Sequence, residues 1–98
     1  ALRSALREYD PRIRAAAQAV VEGKPSERVL IQKEIIAEKH FRQDVVVAAT
    51  NAEIAYLRGK ISEARKAKRA GDDEDLEKIA EALIQRGYPE DFVESVLN

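Results

Sequence analysis

The chain has 98 residues, 45% hydrophobic and 36% charged, with a formal net charge of −1. That length fits one small domain with a thin stability margin, and the near-neutral charge neither calls for nor forbids a nucleic-acid partner. With no cysteine, disulfides and thiolate metal sites are excluded, and a reducing, cytoplasmic setting is compatible.

Most of the apolar residues are Ala, Val, Leu and Ile, and aromatics make up only 5%. No stretch alternates apolar and polar residues for long, so the chain reads as all-α, a small helical domain of about five to six helices with one long central helix. It divides into N-terminal helices over 1–25, a helix pair over 26–70 and a C-terminal helical hairpin over 71–98. No apolar run reaches membrane-spanning length and no signal-peptide pattern appears. The chain starts at Ala1 and contains no Met, which reads as a fragment, a processed chain or a redesigned sequence.

Ala1 to Tyr9 predicts a short helix with Leu2 and Leu6 on one face. Asp10 reads as a cap and Pro11 as the first turn of a helix to Glu22, with Ile13, Ala16, Ala17 and Val20 inward. Gly23 ends that helix and Pro25 prevents its continuation. Ser26 reads as the next N-cap, and the helix Glu27–Lys39 turns Leu30, Ile31 and Ile35 inward, with Val29 and Ile36 beside them. A corner at His40-Phe41-Arg42 follows, carrying neither Gly nor Pro, so a helix running on through His40 is the alternative.

The longest helix spans about Gln43 to Ala70, roughly 40 Å at 1.5 Å per residue. One apolar stripe is Val47, Ile54, Leu57, Ile61 and Ala64; another is Val45, Ala48, Ala49, Ala52 and Tyr56. Apolar on more than one side, it suits a central position. Gly59 costs about 1 kcal/mol relative to Ala, so a close helix crossing or a bend is expected there. Beyond Ile61 the helix turns basic, Gly71 stops it, and Asp72-Asp73-Glu74-Asp75 opens the next; both charge runs suit the helix dipole.

The last stretch, Ile79–Leu97, reads as two short helices joined at Arg86-Gly87-Tyr88-Pro89. Gly87 suits a left-handed cap and Pro89 the first turn of the final helix. Leu83, Tyr88, Phe92 and Val96 can meet across this corner.

No catalytic constellation emerges. His40 is the sole histidine, and no His-Glu-x-x-His or Gly-rich phosphate loop is present. Glu34/Glu38 and Glu90/Glu94 are one turn apart, but such pairs on a helix surface are ordinarily solvated charges. The expectation is a non-enzymatic protein with no cofactor and no metal. The binding candidates are the basic edge Arg58, Lys60, Arg65, Lys66, Lys68, Arg69 and Arg86, set to meet phosphates or an acidic protein surface. The bland reading is a solubilising helix end matched to the acidic run after it. No aromatic residue is interleaved, so base stacking is not supported.

The residues Ala64-Arg65-Lys66, Asp72–Asp75, Ile79, Ala82-Leu83, Arg86-Gly87-Tyr88, Asp91, Phe92-Val93 and Val96-Leu97 together resemble the C-terminal repeat of RecX regulatory proteins. Upstream, Ile31–Ile35 and Phe41–Val45 loosely resemble the preceding repeat, with His40 where that repeat has Gly and one extra residue of spacing. Ala1–Pro25 carries no such signature. The resemblance implies tandem three-helix repeats that bind a RecA-type recombinase filament on DNA and restrain its ATP hydrolysis and strand exchange. It carries Gly87, Tyr88 and Phe92 over as fold-defining. Two other readings stand beside it: a helical protein–protein interaction module or oligomer subunit of another family, with Ala48, Ala49, Ala52 and Ala55 toward a partner helix, and a redesigned helical protein without native function.

Overall fold

The computed structural model describes residues 11–39 and 42–98. Every regular element among them is a helix: α1 (Arg12–Val21), α2 (Pro25–Lys39), α3 (Gln43–Ala70), α4 (Asp73–Arg86) and α5 (Glu90–Leu97). The expected helix Ala1–Tyr9, the Asp10 cap and the turn or continuation at His40-Phe41 lie outside the described residues. The chain forms two compact units, 1–57 and 58–98, and the boundary between them falls inside α3.

In the first unit α1 packs on α2. Ile13 from α1, Ile35 from α2, and Val46 and Ala49 from α3 form one buried cluster, edged by Ile31, Ile36 and Val45. Ala16, Ala17 and Ala19 are buried as well, so α1 presents a nearly smooth small-residue face.

Two expected inward residues of α2 point elsewhere: Leu30 is 62% and Val29 47% exposed. Helical phase explains this. With Ile35 at the centre of the buried face, Leu30 lies about 140° and Val29 about 120° round the axis. Gln32, only about 60° from Ile35 by the same arithmetic, is buried in their place. Its Nε2 donates to Thr50 Oγ1 at 3.0 Å, and the Thr50 hydroxyl donates to the Val46 carbonyl at 2.8 Å. The α2 start also shifts: Pro25 itself is the first helical residue, where its missing N–H costs nothing, so Ser26 lies inside the helix rather than capping it. Pro11, expected within α1, stands just before it.

On α3 the buried line runs Val46, Ala49, Glu53, Leu57, a spacing of three, four and four. The two expected stripes straddle that line. Ile54, Leu57, Ala64 and Ala49 are buried, while Val47, Ile61, Val45, Ala48, Ala52 and Tyr56 are half-buried.

In the second unit α4 packs on α5. Its buried residues are Ala64 and Ala67 of α3, Ile79 and Leu83 of α4, Phe92 and Val93 of α5, and Tyr88 between them. Asp72 caps α4, its Oδ1 accepting from the Asp75 amide at 3.1 Å. At the other end Gly87 adopts φ +110°, a left-handed conformation that a Cβ disfavours. The Gly87 amide donates to Ile84 and the Tyr88 amide to Leu83, which satisfies the last carbonyls of the helix. The same pair of bonds closes α1 at Gly23 and α3 at Gly71. Pro89 is extended (ψ 147°) and precedes α5 rather than entering its first turn. The Tyr88 and Phe92 rings then meet at 5.5 Å between centroids, tilted by 41°.

Candidate binding face

The second half of α3 is where charge concentrates. Residues 58–70 hold six cations and a single carboxylate, Glu63. The helix sorts them by phase. At about 100° per residue, Arg58, Arg65 and Arg69 fall within about 40° of one another, with Ser62 in the same strip and Lys66 beside it. All five are exposed. Arg58, Arg65, Lys66 and Arg69 have no hydrogen-bond or ion-pair partner among the described residues.

The other basic candidates do not share this face. Lys60 is turned toward the body of the unit, with its side chain 25% exposed and its ammonium 3.4 Å from Glu63. Lys68 donates to the backbone carbonyl of Asn98. Arg86 belongs to the last turn of α4, is half-buried and is engaged within the fold. The seven-residue edge of the sequence is therefore a four-residue face plus three cations used internally.

Gly59 also changes meaning. A Cβ built on it meets nothing within 4 Å. It is exposed on the helix, so a close crossing does not account for it.

The corner Gly87, Tyr88, Pro89, Phe92 is architecture. Tyr88 is 4% and Phe92 3% exposed, which leaves neither ring available to a ligand. The acidic run beyond Gly71 is partly committed, with Asp72 on the Asp75 amide and Glu74 3.8 Å from Lys78. A shallow groove of about 210 Å³ separates α3 from α4, lined by Lys60, Glu63, Asp75, Lys78 and Ile79.

In the first unit a hollow of about 340 Å³ is lined by Val29, Gln32, Lys33, Ile36, Ala37 and Gln43. Of the paired glutamates, Glu38 is held by Arg12 at 2.8 Å, while Glu34, Glu90 and Glu94 are exposed. Sequence reasoning missed the buried polar set Gln32, Thr50 and Glu53. The available signal was register: Glu53 falls in line with Val46, Ala49 and Leu57. Among the described residues every buried side-chain nitrogen and oxygen has a hydrogen-bond partner, no group of His, Cys, Asp and Glu could hold a metal ion, and no helix is long and apolar enough to cross a membrane.

Comparison with protein-family models, with curated proteins and with solved structures finds no match to this chain.

Proposed function

We propose that this chain is a non-enzymatic regulatory protein that acts by binding, and that its partner is a RecA-type recombinase filament whose activity it restrains. The observation that carries the reading is the face of Arg58, Arg65, Lys66 and Arg69, four exposed cations without an internal partner among the described residues. A cation spent on an ion pair inside the fold adds little to association; four uncommitted ones raise the encounter rate with an anionic surface. The likeness of Ala64–Leu97 to a RecX repeat selects the partner, reached in the cytoplasm, with nucleic acid met through the filament.

The test is the ATPase rate of a RecA-type recombinase on single-stranded DNA, with the chain added to saturation at two salt concentrations. The rate is expected to fall, with less inhibition at the higher salt. An unchanged rate at saturation overturns the reading. The outward apolar residues of α2, Val29 and Leu30, favour a second reading, a helical protein–protein interaction module of another family. Sedimentation with and without a captured partner separates the two.

A further inference from the structure

The same four cations allow a more specific statement about what they touch, one that rests on the binding reading above. We infer that the face made by Arg58, Gly59, Ser62, Arg65, Lys66 and Arg69 lies directly against the phosphodiester backbone of duplex nucleic acid, without base readout.

Spacing is the first argument. Arg58 to Arg69 is eleven residues, about 16 Å of helix rise. One strand of a duplex carries a phosphate every 3.4 Å of axis, so that line passes about five phosphates. Composition is the second. Three of the four cations are arginines, whose planar fork grips a phosphate bidentately, and Ser62 adds a hydroxyl of the kind that commonly donates to phosphate oxygens. Glu63, the one carboxylate of residues 58–70, lies about 140° round the axis from Arg58. It is occupied by Lys60.

Gly59 is the third argument, and it is independent of charge. Among the described residues nothing lies within 4 Å of the place where its side chain would begin. By phase Gly59 is about 100° from Arg58 and about 20° from Lys66, at the Lys66 edge of the basic strip, and an exposed mid-helix glycine there leaves room for a ligand backbone to approach the helix. The ligand is a duplex rather than a single strand because the face has no aromatic residue on which to stack an unpaired base.

The experiment is fluorescence anisotropy of the full chain with a labelled 20-base-pair duplex of arbitrary sequence, without recombinase, from 50 to 200 mM salt. Three to four phosphate contacts give a slope of log K against log salt of about −3, and about a 50- to 150-fold loss of affinity across that range. Arg65→Ala and Arg69→Ala should each bring the slope about 1 nearer zero. Lys33→Ala, an exposed cation of the first unit, should leave it unchanged. Gly59→Leu is the decisive variant. It should bind at least several-fold more weakly while its helix, read by circular dichroism, melts no lower than that of the parent. Absence of binding at 50 mM salt overturns the inference. So does equal binding by polyglutamate or a single-stranded oligothymidine, or a Gly59→Leu chain that binds as well as the parent. Duplex binding with an unaffected recombinase ATPase sinks the filament reading alone; ATPase restraint without duplex binding sinks this one alone.

Discussion

The two units fill a three-helix core with different side chains. In residues 1–57 the buried residues among those described are mostly small and branched aliphatics, such as Ile13, Ala16, Ala17, Ile35, Val46 and Ala49, together with the polar Gln32, Thr50 and Glu53. In residues 58–98 the described buried residues are all apolar apart from the Tyr88 hydroxyl, and two aromatic rings occupy the helical corner. Small residues bring helices close but bury little area each, so uniqueness must come from directional bonds. Aromatic rings bury large areas, so position must come from the backbone that aims them, here the left-handed turn at Gly87. Both units use a left-handed glycine turn, at Gly23 and at Gly87; the first adds buried side-chain hydrogen bonds and the second adds aromatic rings at the corner.

The sharpest way to break that contrast is to remove an aromatic. Phe92→Ala should destabilise the second unit by about 3–5 kcal/mol, the range for emptying a buried aromatic site. Native-state hydrogen exchange can read this locally, with the Leu83 amide losing protection and the Ile35 amide losing far less. Equal loss at both would show that the two cores are one cooperative body. Gly87→Val comes next. At φ +110° a β-branched side chain is strained, and a cost of about 2 kcal/mol is expected in urea unfolding. A change below about 0.5 kcal/mol would remove the backbone from its deciding role.

The matching test in the first unit is smaller. Gln32→Leu and Thr50→Val should each cost about 1 kcal/mol, because each leaves the other polar group without its 3.0 Å partner. The double variant should cost clearly less than their sum, since the Gln32–Thr50 bond can be lost only once. A coupling energy of about 1 kcal/mol in that cycle would confirm the bond as a pairwise determinant; additivity would show that packing alone fixes the α2–α3 register.

These two modes of closure differ in how visible they are in sequence. The second unit was legible: Gly87, Tyr88, Phe92 and Leu83 stand at the positions a capped corner requires, because caps and turns are local chemistry written in consecutive residues. The first was only partly so. Val29 and Leu30 look like core on hydrophobicity, yet phase turns them outward. Glu53 looks like surface on polarity, yet it is fully buried. Which of several apolar stripes faces the core depends on a neighbour brought in from elsewhere in the chain, and α2 is apolar on more than one side. The basic edge shows the same limit. Sequence locates the cations, but only helical phase separates Arg58, Arg65, Lys66 and Arg69 from Lys60 and Lys68, which are used within the fold.

The smallest expected effect bears on α3 at Gly59, and it has the opposite sign. A glycine in an exposed helix interior is less favourable than alanine by about 1 kcal/mol. Since a Cβ there meets nothing within 4 Å, Gly59→Ala has no steric term to offset that gain. The variant should therefore be more stable than the parent, by at most about 1 kcal/mol, with the denaturation midpoint raised and the slope unchanged. A loss of stability would mean that the glycine serves the helix itself, through a bend or a close neighbour, and the open space at the Lys66 edge of the basic face would lose its significance. A gain would mean that stability is being forgone at this one position of α3. What the position keeps in exchange is close access to the helix backbone, at the Lys66 edge of the face of cations that have no partner inside the fold among the described residues.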